Sequence, residues 1–443
     1  MTSSGQGTAL VFILCLGAVP ASAQDALTLD VAIQEAIAHN ASLRAARAGA
    51  AEASEHLGEA RAGWLPRISF TESWQRGDQP VFVFSSLLAS RTFTAANFAI
   101  DSLNHPNPIG FFRGSVGAEQ LLFDGGRQRA AINGAQVRSE ISQLAVDETT
   151  ASLVSATTQT YGRILIAEAG ARAAHAALES AQEDSARAER RRDAGMATDA
   201  DVLALIAQVT TLRQREIDVQ ADAAVARAEL NRLIGSPIDR SYDVAEPLAG
   251  TELSAMSLSV ALAEADANRP ELKRAEAAIR LAETERKGVG TALIPQVAAQ
   301  AAFDMSGTSF NSREPSWIVG GELRWNLSLG GAELARAKAA SQAQIRAAAE
   351  ADETRAAVRV QVVTAFRRLE AAHARQAVGL TAVNQARERQ RIVRDRFDAG
   401  MAGVTDVLQA SSALTDAEAQ RVAAVVDAIT SEAQLRHAIG RRQ

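Results

Sequence analysis

The chain has 443 residues, and its 46 basic and 52 acidic side chains leave a formal net charge of −6. This balance excludes a basic nucleic-acid-binding face, so we expect no nucleic-acid partner. Aromatic residues make up only 4% of the chain, which disfavours a core of large side chains and favours long helices packed through small residues.

Residues 1–23 have the pattern of a signal peptide. A short apolar run over residues 9–19 ends in Ala21-Ser22-Ala23, the small-residue pattern of a cleavage site. The run is too short to span a bilayer as a helix, which needs about 20 residues. The only cysteine, Cys15, lies inside this segment and follows Leu14, so we expect neither a thiol in the mature chain nor a lipid anchor.

A helix and then a ribbon of strands are predicted next. The helix has Thr28 as its N-cap candidate and runs to about Gly63, because Pro66 opposes its continuation. Strands are predicted within residues 64–123. Apolar and small polar residues alternate from Ile68 to Trp74, which indicates a strand with one apolar face, and residues 111–123 are a noisier candidate for its partner.

The connection between these two strands, residues 77–110, is rich in phenylalanine. It admits two interpretations. One is an outer lid or a contact patch at the surface of the protein. The other is a loop that packs on itself or on neighbouring chains.

A long helical hairpin follows. Gly125 and Gly126 predict a strand-to-helix turn, although an anion site at the start of the helix is an alternative. Residues 124–236 lack proline and are rich in good helix formers. A helix over residues 127–193 alone would be about 100 Å long. Gly195 suits the left-handed position that ends such a helix, and Met196 follows it. Thr198 and Asp201 then have capping-box spacing for a returning helix.

The second half of the chain repeats the first. DAGMAGVTDVL at 398–408 matches DAGMATDADVL 205 positions earlier, whereas LSVALAEA at 258–265 matches LDVAIQEA 229 positions earlier. The two offsets differ by about 24 residues, which places one insertion within residues 77–110. The duplication predicts one structural unit used twice, at residues 24–235 and 258–443, with residues 236–257 as a linker.

The elements of the second repeat are predicted in the same order. Ser257 is the N-cap candidate of a helix to about Ala292, and strands are predicted within residues 293–329, where residues 307–316 form a short loop. The alternation over 317–327 puts apolar residues on one face, including Trp317 and Trp325. Four glycines and their neighbours then repeat the turn and the hairpin, with a weaker cap because one position lacks a hydroxyl: Gly330, Gly331, Gly400, Met401, Gly403 and Asp406.

The four predicted strands fit two kinds of protein. The same alternation occurs in the half-buried strands of a soluble sandwich and in the strands of a membrane barrel, which are apolar outside and wet inside. Four strands cannot close a barrel, and an open edge inside a membrane leaves backbone groups unpaired at a cost of several kcal/mol each. A membrane protein of this kind must therefore combine strands from several chains.

Several motifs occur in one order and in both repeats: LFDGG (122–126), LSLGG (327–331), the two DAGM hairpins with Asp-Val-Leu, and Ile-Gly at 234–235 and 439–440. With this order the chain resembles the TolC family of outer-membrane efflux proteins. The resemblance implies a mainly α fold with a small membrane β part. A homotrimer would build a twelve-stranded β-barrel, with four strands from each protomer, joined to an α-helical barrel, and the linker would lie in its equatorial region.

The resemblance also implies a location and partners. The protein would lie in the outer-membrane lipid of a Gram-negative bacterium, with a long extension into the periplasm. It would be the passive exit duct of a tripartite efflux or type I secretion system, and not an enzyme. A periplasmic adaptor protein and an inner-membrane pump of the RND or ABC type would feed it.

The resemblance assigns roles to the hairpins and to the tryptophans. The tips would dock the adaptor through Gly195, Met196, Gly400 and Met401. The periplasmic entrance would be lined by Asp201, Asp406 and Gln409. Ala402 stands where some family members have an arginine that ties the hairpins together, so that contact would be missing. Lipid would be contacted by Trp74, Trp317 and Trp325.

Three copies of Asp406 around a threefold axis would form a negative ring that favours cations, and Gln409 would make any second ring uncharged. For both aspartates, helix capping is the alternative role. The histidines show no metal-binding spacing, and no nucleophile motif or phosphate loop occurs, so we expect no metal, cofactor or catalytic residue. A soluble periplasmic coiled-coil scaffold or adaptor is the alternative function.

Overall fold

The computed structural model describes residues 26–245, 256–325 and 330–441. The expected signal peptide, the centre of the linker and residues 326–329 lie outside these ranges. The first repeat contains α1 (Leu29–His39), α2 (Ala41–Ala62), β1 (Arg67–Gly77), α3 (Pro80–Ala89), a 3-10 turn (Ala95–Phe98), α4 (Ile100–Asn104), β2 (Ile109–Phe123), α5 (Arg127–Asp193) and α6 (Asp199–Ile234). The second repeat contains α7 (Leu258–Asn268), α8 (Pro270–Gly290), a 3-10 turn (Thr291–Leu293), β3 (Gln296–Ser309), β4 (Ser312–Arg324), α9 (Ala332–Asp398) and α10 (Val404–Ala438).

Each repeat opens with two helices instead of the single helix expected. The N-caps Thr28 and Ser257 are confirmed, since their side chains accept the backbone N–H groups of residues 31 and 260. The prediction of unbroken helices to Gly63 and Ala292 is wrong, because the backbone is extended at Asn40 and at Arg269. At the second position the cause is Pro270, whose ring disfavours helical geometry in the residue before it.

The four strands form one antiparallel sheet in the order β1-β2-β3-β4. The register places Phe70 opposite Val116, Val116 opposite Phe303, and Phe303 opposite Trp317, so the apolar positions share one face. We call this the apolar face: Ile68, Phe70, Trp74, Phe112, Val116, Val297, Phe303, Trp317, Val319 and Leu323. The other side is the polar face: Ser69, Thr71, Arg113, Ser115, Gln300, Asp304, Glu322 and Arg324. The predicted alternation is confirmed.

The two strand connections differ. In the second repeat the strands continue through most of the loop expected at 307–316, and only residues 310–311 separate β3 from β4. In the first repeat the insertion between β1 and β2 is largely helical, which corrects the expectation of a loop. It does pack on itself, because the Phe93 ring meets the rings of Phe84 and Phe98 edge-on, with centroids 4.8 and 5.0 Å apart.

The long helices form the body of the molecule. α5 and α9 have 67 residues each, which corresponds to about 100 Å and confirms the prediction for residues 127–193. Small residues bring these helices close to their neighbours. A Cβ atom on Gly162 would lie 2.7 Å from Cγ2 of Thr430, so α5 and α10 need glycine there. Among the described residues, no helix is both long and apolar enough to cross a membrane.

Two equivalent cores join the opening helices to the long ones. In the first repeat Leu43, Ile164 and Leu230 are buried together, and in the second repeat Leu272 and Leu435 belong to the matching cluster. Tyr161 connects the segment just before α1 to the linker. Its hydroxyl lies 2.8 Å from the carbonyl oxygen of Leu27 and 2.5 Å from that of Ala245, and burial raises its pKa to about 12.

Candidate functional site

The first hairpin tip joins α5 to α6 through a tight glycine turn. Gly195 has a φ of +74°, and its N–H donates to the carbonyl of Arg192 at 2.8 Å, while Met196 N–H donates to Arg191 at 2.8 Å. These two bonds satisfy the last carbonyls of α5. The tip is open, since nothing lies within 4 Å of a Cβ atom added to Gly195, and Met196 is exposed.

Asp201 is engaged in the cap of α6. Its carboxylate accepts the N–H and the hydroxyl of Thr198 at 3.0 and 2.8 Å, and Thr198 Oγ1 accepts the Asp201 N–H at 3.2 Å. The predicted capping box is confirmed. The donated hydrogen bonds of Thr198 hold the pKa of Asp201 below its usual value, because they favour the ionised carboxylate.

The second hairpin tip, between α9 and α10, has the same turn but a weaker cap. Gly400 has a φ of +76°, and Met401 N–H donates to Arg396 at 2.8 Å. Asp406 accepts the Gly403 N–H at 3.0 Å, and glycine offers no side chain in return. The exposed side chains of Asp406 and Gln409 lie three residues apart on one face of α10. The cap of α10 therefore has only one of the two hydrogen bonds of a capping box, and the sequence predicted this weaker cap.

Three arginines that the sequence analysis missed connect the two hairpins. Arg187 Nη1 lies 3.1 Å from Asp398 Oδ2, and Arg394 Nη2 lies 2.9 Å from Asp184 Oδ2. Arg191 donates to the carbonyl of Phe397 at 2.6 Å, and its guanidinium lies 4.7 Å above the centroid of that ring. The hairpins of one chain are therefore tied together although Ala402 is not an arginine.

A small apolar core supports these contacts. Ala188 of α5, Val202 and Leu205 of α6, and Val404 of α10 are buried together, with Phe397 packed against them. The two tips consequently form one packed unit, and the methionines, Asp406 and Gln409 are among its exposed groups.

The strand-to-helix turns have local structural explanations. Gly125 and Gly126 have φ values of +71° and +93°, and a Cβ atom on Gly125 would lie 2.6 Å from Cβ of Ile294. Asp124 accepts the N–H groups of Gly126 and Gln128 at 2.9 and 2.5 Å, so a carboxylate of the chain itself occupies the start of α5. In the second repeat Gly331 has a φ of +71°, and Gly330 precedes it in the turn.

The apolar face of the sheet is exposed in a single chain. Trp74 and Trp317 lie on it, and Trp317 is 75% exposed. Trp325 follows the end of β4 in the same phase, and its Nε1 donates to the carbonyl of Leu293 at 3.2 Å. A face this apolar needs a covering, either lipid or another protein surface.

An ion pair that sequence reasoning missed crosses the same side of the sheet. Glu72 of β1 and Arg313 of β4 approach to 2.8 Å although their strands are the two edges of the sheet. They meet above Gly114, where a Cβ atom would lie 2.7 Å from the Glu72 carboxylate. The Arg313 guanidinium stacks 4.0 Å from the Phe310 ring centroid. No group of three or more metal-binding side chains occurs in residues 26–245, 256–325 and 330–441.

The family model for outer membrane efflux proteins matches residues 32–236 and 261–441, which is most of the chain. The chain belongs to this family. Its function is therefore that of an outer-membrane exit duct with a periplasmic extension, and the alternative of a soluble periplasmic scaffold is wrong. The family consists of channel proteins and not of enzymes.

Individual relatives agree with this assignment. Protein CyaE of Bordetella pertussis is 27% identical over 409 residues, which are 89% of this chain and 80% of that protein. Outer membrane efflux protein BepC of Brucella suis is 26% identical over 424 residues, which are 94% of this chain and 85% of BepC.

Solved structures share the fold at low sequence identity. The outer membrane protein VceC of Vibrio cholerae superposes with a TM-score of 0.78 at 18% identity, covering 93% of this chain and 96% of VceC. A membrane protein of Pseudomonas aeruginosa gives a TM-score of 0.80 at 18% identity, covering 93% of this chain and 90% of that one. The predicted fold class, mainly α with a small β part of four strands in each chain, is confirmed, and the structure shows that these strands form an antiparallel sheet.

Proposed function

We propose that three copies of this outer membrane efflux protein close their sheets into one twelve-stranded barrel. The observation that carries the proposal is the sheet itself, which has an apolar face and two edge strands, β1 and β4. Edge backbone groups inside a membrane need partners, and β1 of one copy can supply them to β4 of the next. Trp74, Trp317 and Trp325 would then contact the lipid.

The paired hairpins would form the periplasmic end of the duct. Gly195, Met196, Gly400 and Met401 are the candidate docking points for a periplasmic adaptor, because their turns are open and both methionines are exposed. Methionine suits such a surface, since its flexible thioether adapts to different partners. The adaptor would connect the duct to an inner-membrane pump of the RND or ABC type.

The entrance would be selective through charge. Asp406 is exposed and engaged only by the backbone of Gly403 among the hydrogen bonds seen at this tip, so three copies would present a negative ring to incoming solutes. Gln409, one turn further, would add an uncharged polar ring. Asp201 would contribute less to the field, because it serves the cap of α6. The duct would be passive and catalytically silent.

The trimer is tested by extraction and conductance. We expect the protein to leave outer membranes only with detergent, to have the mass of three chains, and to conduct ions in planar lipid bilayers. Trp317→Lys should prevent insertion, because a lysine on a lipid-facing barrel position costs about 2–4 kcal/mol near the bilayer midplane. The matched control is Ser316→Lys, on the polar face, which should insert normally. A monomer that stays folded without detergent would overturn the proposal.

A further inference from the structure

The insertion of the first repeat crosses the polar face of the sheet. The rings of Phe82 and Phe111 meet edge-on, with centroids 6.2 Å apart. At the other end of α3, Arg91 donates to the carbonyl of Pro315 at 3.0 Å and lies 3.7 Å from the Glu314 carboxylate. Phe111 and Glu314 each occupy strand positions in phase with the polar face. The helix therefore lies on the side of the sheet that would face the water-filled lumen.

The length of α3 matches the width of the sheet. Its 10 residues make about 15 Å of helix, and four strands about 4.8 Å apart span about 14 Å. One end of the helix follows β1, and Arg91 fixes the other end to β4, so α3 reaches from one edge strand to the other. Its two ends lie at the edges where neighbouring copies would join.

The exposed side of α3 carries two large apolar side chains. Val83, Ser86 and Ser90 are buried, whereas Val81 is 81% exposed and Leu88 is 50% exposed. The latter two are seven residues apart and share one helical face. In a closed barrel the direction away from the sheet leads to the threefold axis.

The proposed barrel has little room for three such helices. Twelve strands about 4.8 Å apart and tilted about 40° enclose a ring of roughly 24 Å diameter, measured through the backbone. A helix with its side chains is about 10–12 Å wide. Three helices, each lying against its own wall, therefore meet near the centre, and each exposed apolar stripe finds the stripes of the other two copies.

We propose that the three copies of α3 meet around the axis through Val81 and Leu88 and narrow the outer mouth to an apolar constriction. This inference rests on the proposed trimeric duct, and it makes Val81 and Leu88 the residues that determine the exit aperture. An apolar constriction is poorly hydrated, so it restricts the flow of ions until it widens. Solutes leave when α3 swings from the polar face, and Arg91 is the contact that must yield.

Conductance in planar bilayers tests the constriction. The double variant Val81→Asp/Leu88→Asp places charges where three copies meet, so single-channel conductance in potassium chloride should rise roughly threefold or more, because the constriction becomes wet. The matched control is Ile100→Asp, an exposed apolar residue of the same insertion outside the stripe, whose conductance should equal that of the wild type. Equal conductance in all three proteins would overturn the inference.

Disulfide trapping tests the same contact without charged variants. Cys15 is the only native cysteine and lies in the expected signal peptide, so Leu88→Cys should give disulfide-linked pairs of chains on oxidation. Ser86→Cys, at a position that is buried within the chain, should not. If the wild type is a conducting trimer but Leu88→Cys forms no pairs, the constriction is refuted and the duct stands. If the wild type neither trimerises nor conducts, the proposed duct fails, and the constriction fails with it.

Discussion

Apart from the insertion in the first repeat, the two repeats use the same elements, but they differ at the bend between their two opening helices. Both have a 67-residue helix and a glycine hairpin. At the bend of the first repeat, Asn40 accepts the N–H groups of Ser42 and Leu43 and donates to the carbonyl of Leu233 at 3.0 Å. At the bend of the second repeat, Arg269 donates to the carbonyl of His437 at 2.8 Å. A short amide and a long cation thus connect each bend to the end of the returning helix.

A neutral side chain holds the bend of the first repeat, and a charged side chain holds the bend of the second. Arg269 is only 2% exposed, and besides His437 it contacts Gln361 and Glu271 at 2.7 and 3.0 Å. Burial lowers its pKa, and the neighbouring Glu271 opposes that shift. Burial also lowers the pKa of His437, with Arg269 as the next cause. The second repeat therefore depends on a buried charge where the first depends on an amide and a helix cap.

Breaking the two bends is expected to have the largest effect. Arg269→Ala leaves the partly buried Glu271 without its partner and should cost about 3–5 kcal/mol. Asn40→Ala removes a cap and should cost about 0.5–2 kcal/mol. Thermal unfolding of the detergent-solubilised protein would compare them, with the conservative Arg269→Lys as a control of intermediate loss. Equal losses of stability in both alanine variants would mean that the buried charge stabilises its bend no more than the helix cap stabilises the other.

Changes at the hairpin tips should have the next largest effect. The backbone turn is the same in both repeats, but the helix cap that follows it differs. Valine at Gly400 or Gly195 must adopt a positive φ, which strains a branched residue. Because both sites are open, the damage should stay local, and trimers should form. We expect Gly400→Val to impair export more than Gly195→Val, since its cap is weaker, and Gly400→Asn to retain most function.

Susceptibility of a duct-deficient strain to a panel of dyes, detergents and antibiotics would measure this effect, with the trimer followed in parallel. Normal export by Gly400→Val would show that this tip is not part of the adaptor-docking surface. Loss of the trimer would instead show that the turn is needed for assembly.

The two capping aspartates allow a finer comparison. Asp201 is held by Thr198, whereas Asp406 is exposed above a glycine, so Asp406→Ala should weaken cation preference in bilayer recordings more than Asp201→Ala. The expected change is a drop of about twofold or more in the cation-to-anion permeability ratio, larger at low salt because screening is weaker. Unchanged selectivity in Asp406→Ala would leave that carboxylate with capping as its only role.

Local patterns were sufficient to predict the hairpins and the strands. The turns need only a glycine that tolerates positive φ, and the capping box needs only Thr198 and Asp201 at the right spacing. The bend at Arg269 could also have been found, because Pro270 restricts the residue before it. The bend at Asn40 has a subtler signal, an asparagine whose side chain competes with the backbone inside a helix-forming run.

Contacts between distant segments could not be predicted from the sequence. Arg187 and Asp398 meet only because α5 and α9 adopt one particular relative rotation. Glu72 and Arg313 are 241 positions apart and meet across a sheet whose register had to form first. The placement of α3 on the polar face likewise depends on Phe111 and on Arg91, and neither residue has a pattern that indicates its partner.

The smallest expected effect concerns the helix caps themselves. Thr198→Ala should cost about 1 kcal/mol of local stability, which corresponds to roughly fivefold faster hydrogen exchange in the first turn of α6. Gly403→Ser should complete the capping box and slow exchange in the first turn of α10. The pKa of Asp201 is lowered in the folded protein. Its contribution to the stability of the α6 cap is therefore complete at a pH above its ordinary pKa of 3.8, and it is lost as the pH falls through the lower folded pKa. The greater stability of the first tip over the second should therefore shrink below that pH. If the first tip stays the more stable one in strong acid, packing and not the cap explains the difference.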